Sequence, residues 1–154
     1  MTQVPTNNAI IEELARAYWL EVEATINYIA ISVDLDGIRA EEIKKSLATD
    51  IQAELTHAQE LANRIKEIGG RVPGSLAFKP EQASLQPPED STDLVSTIHG
   101  VIEAENLAID QYNKIIRMCD GIDYVTQDLC IKLLADEEKH RREFRGFLKE
   151  YEKD

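Results

Sequence analysis

Glu54-Leu55-Thr56-His57 and Glu137-Glu138-Lys139-His140 are two copies of Glu-x-x-His, and each is preceded by a glutamate at matched distance. Glu21 stands 33 residues before Glu54 (54 − 21 = 33), and Glu105 stands 32 before Glu137 (137 − 105 = 32). Both leading glutamates open the same pattern, Glu-x-x-Ala-x-x-x-Tyr, as Glu21, Ala24, Tyr28 and as Glu105, Ala108, Tyr112. The chain therefore reads as one helical hairpin written twice.

The repeat also places the turns. Asp36-Gly37-Ile38 and Asp120-Gly121-Ile122 lie midway between the paired glutamates. Antiparallel helices rise ~1.5 Å per residue, so equal distances from a turn bring the two glutamates of each hairpin to one height. Four carboxylates and two imidazoles then meet in one layer.

Apolar periodicity supports helices throughout. The stripes run Ile10, Leu14, Ala17, Glu21, Ala24, Tyr28, Ile31; then Leu47, Ile51, Glu54, Ala58, Leu61, Ile65; then Ile98, Val101, Glu105, Ala108, Tyr112, Ile115; and finally Cys130, Leu133, Glu137, His140, Phe144, Phe147. In each, the glutamate interrupting the stripe is one of the four above. The periodicity predicts helices over about 7–35, 39–68, 92–119 and 122–151. Between the second and third lies a long break, Gly69 to Asp90, with Gly69-Gly70, Pro73-Gly74, Pro80 and Pro87-Pro88. Some 20 extended residues reach ~60 Å, enough to run the length of a ~45 Å helix, so helices two and three are expected to be parallel. Ser91-Thr92-Asp93 offers the capping start of helix three.

Composition bounds the rest. The 154 residues fit one domain, 1–154, all-α in class. A formal charge of −12 argues against nucleic acid as a partner, and the arm from Met1 to Ala9 carries no basic residue. Without a secretion signal or an apolar run near ~18 residues, neither export nor membrane spanning is indicated, and a cytoplasmic location is expected. Cys119 and Cys130 form no Cys-x-x-Cys, which removes rubredoxin-type iron and zinc ribbons, and both sit on apolar stripes as small hydrophobes.

The site chemistry follows from charge. Four carboxylates facing one another in a core repel and lose hydration, costing several kcal/mol each unless protonated or neutralised. No Lys or Arg shares their stripes, whereas two divalent cations bring four negative charges to zero. Carboxylate oxygens with one imidazole per metal suit iron or manganese, with Zn able to substitute. Glu103 competes with Glu105 as a ligand but lies off the stripe and breaks the match to Glu21.

On these residues the whole chain resembles the ferritin-like superfamily, closest to its bacterioferritin and Dps-like branch. The resemblance implies a four-helix bundle of two hairpins joined by a long crossover, holding two Fe ions per subunit. By position, Glu54 and Glu137 would bridge the irons, Glu21 with His57 would hold one, and Glu105 with His140 the other. Tyr28 matches a tyrosine the family places beside its centre, with Tyr112 its counterpart in the repeat. Asp136 matches an outer aspartate that orients a ligand histidine. Its counterpart in the first half is Ala53, so one histidine takes a different partner, for which Asp50 is a candidate. Leu55 stands where bacterioferritins place the haem-binding methionine, so no haem is expected.

The implied activity is that of a ferroxidase, oxidising Fe(II) with dioxygen or hydrogen peroxide and storing Fe(III) in a hollow homo-oligomer. Only 14 residues follow His140, too few for the fifth helix of 24-subunit shells, so a dodecamer is favoured. A non-storing di-metal peroxidase or oxidase and a metal-free helical scaffold are the competing readings. The remaining acidic residues are expected on a solvated face, and Tyr18 and Trp19 in packing or subunit contacts.

Overall fold

The computed structural model describes residues 6–152, so the arm Met1–Pro5 lies outside the described residues and the charge reading made of it has no structural counterpart. Four α-helices form: α1 (Asn7–Asp34), α2 (Glu41–Glu67), α3 (Leu94–Cys119) and α4 (Tyr124–Leu148). They match the expected helices, with shifted ends set by capping chemistry. Asp93 and Asp123, not residues two or one before them, are the N-caps of α3 and α4; their carboxylates accept from the backbone N–H of Ser96 and Thr126. A 3-10 turn, Ile38–Ala40, precedes α2, and α4 ends at Leu148, three residues before the expected 151.

Both hairpins reverse at glycine. Gly37 has φ +104° and Gly121 φ +72°, conformations that a side chain would strain. The crossover starts where Gly70 packs against Ile11 near the beginning of α1. It finishes at the opposite end of the bundle, where the Asp36 N–H donates to the Ser91 carbonyl at 2.9 Å. It therefore spans the bundle lengthwise, and α2 and α3 run in the same direction. Gly100 of α3 lets it lie close, since a Cβ there would come within 2.4 Å of the Ser84 carbonyl oxygen.

Two apolar clusters hold the helices together. One contains Ala24, Tyr28, Ile31, Leu47, Ile98, Val101 and Phe144; the other Leu14, Leu61, Ile65, Tyr112, Ile115, Cys130 and Leu133. Each large side chain taken fully out of water contributes ~1.5–3 kcal/mol. In the sequence stripes, Glu21, Glu54, Glu105 and Glu137 fall between members of the two clusters, so the carboxylate layer is closed off by hydrocarbon at both ends. Cys119 and Cys130 are buried, and burial pushes their thiols up to about 11 and about 12, as suits packing residues.

The crossover is tied down by a residue that the periodicity does not single out. Glu23 is 4% exposed, and its two oxygens accept from the backbone N–H of Glu81 at 2.8 Å and of Gln82 at 2.9 Å. Gln82 returns a bond to the Leu20 carbonyl at 3.0 Å. Glu23 corrects the expectation that the remaining acidic residues form a solvated face, because the crossover covers it. Glu23→Ala leaves one buried and one part-buried amide without acceptors and should lower stability by about 3 kcal/mol in urea unfolding; a loss below about 1 kcal/mol would contradict this role. Trp19 packs on Phe78 of the crossover at 4.8 Å between ring centres, in keeping with the packing role expected of it.

Candidate metal centre

The structure brings all six sequence-derived site residues into one layer. Their ligand atoms form two overlapping groups, Glu21, Glu54, His57, Glu137 and Glu54, Glu105, Glu137, His140, each lying within 4.8 Å of one another. Glu54 and Glu137 belong to both. All four glutamates are at most 2% exposed and His57 is 3%. Glu103, the competing candidate, is exposed on the outer side of α3, as is Glu138 on α4.

Each hairpin supports the ligands of the other. The Tyr28 hydroxyl of α1 donates to Glu105 Oε1 of α3 at 2.7 Å, and the Tyr112 hydroxyl of α3 donates to Glu21 Oε1 of α1. His57 Nδ1 lies 2.9 Å from Glu137 Oε1 and 3.4 Å from Glu21 Oε2, while Nε2 faces Asp136 Oδ2 at 3.0 Å. His140 is turned likewise. Its Nδ1 faces Glu54, Glu105 and Glu137 at 3.4, 4.0 and 3.6 Å, and its Nε2 faces Asp50 at 3.6 Å. Asp136 borders a 270 Å³ depression between α2 and α4, lined also by Thr56, His57, Glu60 and Lys132.

Electrostatics show how unsettled these groups are without cations. Burial, then repulsion from Glu137, drives Glu54 well above the usual carboxylate range. Glu105 is driven well above it by the same two causes, and Glu21 is raised likewise. Glu137 goes the other way: burial opposes its charge, but the adjoining Glu105 carboxyl and the His140 and His57 rings together overcome burial and hold it well below. Burial also opposes charge on both histidines, yet the adjoining Glu137 and Glu21 carboxylates lift His57 to about 11, and Glu137 lifts His140. These shifts favour proton uptake by the layer.

The fit to two metal ions rests on atoms left without partners. Glu21 Oε2, Glu54 Oε1, Glu105 Oε2, Glu137 Oε2 and His140 Nδ1 are buried and make no hydrogen bond. Buried polar atoms are almost always paired, and these five converge on one layer. The donor set, oxygen-rich with one imidazole nitrogen per group and no thiolate, suits iron or manganese.

Comparison with known proteins agrees. Residues 11–153 match the ferritin-like domain family. The chain belongs to that family. This ferritin-like chain is 27% identical over 142 residues to the DNA protection during starvation protein of Pyrococcus furiosus, covering 90% of this chain and 76% of that one. It is 25% identical over 132 residues to the bacterioferritin of Desulfovibrio desulfuricans, covering 85% and 69%. The fold superposes on the bacterioferritin-related protein of Bacteroides fragilis, a dodecameric thioferritin, with a TM-score of 0.81 at 22% identity over 96% and 89% of the two chains. Family membership and the buried carboxylate cluster together support an iron-related function. No helix among the described residues is long and apolar enough to cross a membrane.

One residue at the site and one outside it escape the repeat. Asp50 has no acidic counterpart in the second half, where Leu133 stands, and only its place one turn from Ala53 hints at it. Gln111, buried beside the second tyrosine, donates to the Glu13 carbonyl at 2.9 Å and ties α3 to α1, a role without any signal in the sequence.

Proposed function

We propose that this chain is the single-domain subunit of a ferroxidase that binds two Fe(II), oxidises them with dioxygen or hydrogen peroxide, and passes Fe(III) to a mineral inside a hollow homo-oligomer. The observation that carries the reading is the sharing of Glu54 and Glu137 between two otherwise separate donor groups. Two irons held under shared carboxylates can deliver one electron each to the same oxidant. Glu21 with His57 would hold one iron, and Glu105 with His140 the other. Mn(II) or Zn(II) can occupy the same donors.

The protein's own residues supply position and proton traffic. Tyr28 and Tyr112 orient Glu105 and Glu21 through their hydroxyls, and Asp136 fixes the ring of His57. Fe(II) takes the carboxylate and neutral-imidazole forms and so competes with protons at the raised glutamates and imidazoles; loading therefore releases acid and strengthens with pH. The apolar clusters above and below the layer exclude water along the bundle axis.

Storage needs a shell. A structural relative is a dodecamer, and a dodecamer of this chain is the assembly expected: 12 × 17.4 kDa, about 209 kDa by light scattering. Aerobic Fe(II) titration followed by gel filtration with iron and mass detection tests both parts. Iron far above two per chain travelling with that particle is the expected result. Two per chain on a small particle would instead favour a non-storing peroxidase or oxidase. A net charge of −12 repels phosphate, so a gel shift with duplex DNA at physiological salt should be negative, although one relative is named for DNA protection.

A further inference from the structure

The internal repeat calls for a carboxylate at position 53, the counterpart of Asp136, and residue 53 is alanine. One helical turn away on the same face of α2 stands Asp50, 4% exposed. Its Oδ1 lies 3.6 Å from His140 Nε2, and its Oδ2 is buried with no hydrogen-bond partner. Burying a carboxylate in this state is costly, and such a group demands a cationic or N–H partner. Its acidic neighbour cannot serve: Glu143 offers no donor, and its own carboxylate accepts from Ser46. The N–H of the His140 ring is the donor within reach. The opposite ring nitrogen, Nδ1, is itself without a partner and faces three glutamates.

We propose that Asp50 is the positioning residue of His140: it accepts the Nε2–H, fixes that tautomer, and leaves the Nδ1 lone pair for a divalent cation held with Glu54, Glu105 and Glu137. The inference rests on the two-metal reading of the layer. It completes a crossed arrangement, in which Asp136 of α4 holds a histidine of α2 and Asp50 of α2 holds a histidine of α4. The Asp136 side chain is 47% exposed and the Asp50 side chain 5%, so water can replace the first far more readily than the second. Removing Asp50 should therefore weaken its metal position more than removing Asp136 weakens the other.

Calorimetry with Co(II) alone on the full chain tests this, with the visible Co(II) spectrum as a second readout. The wild-type chain should take up two Co(II). In Asp50→Leu, which keeps the branched shape and removes the acceptor, one equivalent should bind roughly 10–100-fold more weakly, the scale typical for loss of an outer partner, while the other is unchanged. Asp50→Asn, whose amide oxygen still accepts from Nε2–H, should restore most of that affinity and the wild-type spectrum. Asp50→Leu binding both equivalents as tightly as wild type would overturn the inference, as would Asp50→Asn being as deficient as Asp50→Leu. A wild-type chain taking up no Co(II) would instead overturn the two-metal reading itself.

Discussion

Replacing Glu137 by alanine should abolish rapid Fe(II) oxidation, and replacing Glu138, its neighbour, should leave it nearly intact. Glu137 belongs to both donor groups and is fully buried, whereas Glu138 points to solvent from the same turn of α4. Loss of an outer partner alone costs a metal site ~10–100-fold, so loss of a carboxylate shared by both positions should cost at least roughly 100-fold in rate. Glu54→Ala, which removes the other shared carboxylate, should behave as Glu137→Ala does. Stopped-flow traces in which the Glu138 variant is as slow as the Glu137 variant would contradict the assignment, provided both elute and melt as folded proteins.

Metal should also stabilise the fold strongly, and most strongly at neutral to alkaline pH. Glu21, Glu54 and Glu105 bind protons more tightly folded than unfolded, so their contribution declines as pH rises above the ordinary 4.5. His57 acts in the same direction: its stabilisation is complete below 6.5 and is lost as pH climbs toward about 11. Glu137 has the opposite sign, present above 4.5 and lost as pH falls below it. The metal-free protein should therefore be most stable in the mildly acidic range and weaken toward pH 9. Saturating Mn(II) replaces the protons with cations. Two ions, each at about 100 times its dissociation constant, add roughly 5 kcal/mol, which for a chain of this size raises the melting temperature by about 10 °C or more. Scans at pH 5.5, 7 and 9 check this; a melting temperature that Mn(II) leaves unmoved at pH 9 would show that the layer does not hold cations.

Much of this architecture was legible because the ligands double as fold markers. A glutamate interrupting an apolar stripe marks both a core position and a chemical one, and the twofold repeat multiplies the signal. The turns were legible for the same reason, since Gly37 and Gly121 sit midway between ligands and adopt positive φ. Helix ends were less so: several Ser, Thr and Asp residues compete as caps near 91–93, and only the bond from Asp93 to the Ser96 N–H decides between them. Glu23 was hidden because its burial is made by the crossover, which has no periodicity, so nothing local distinguishes it from a solvated glutamate. Asp50 was half-visible. The missing carboxylate at Ala53 announced a gap, but which neighbouring acid fills it depends on the approach of α2 and α4 across the layer.

The central claim is that the two hairpins jointly hold two metal ions in each chain. Anaerobic Fe(II) binding by equilibrium dialysis, measured on the wild-type protein and on Glu54→Ala, tests it most directly. Two Fe(II) per wild-type chain, with neither position retaining wild-type affinity in the variant because Glu54 serves both groups, is the predicted result. One Fe(II) or none per wild-type chain, or an Asp- and Glu-rich surface uptake that Glu54→Ala leaves unchanged, would contradict the account.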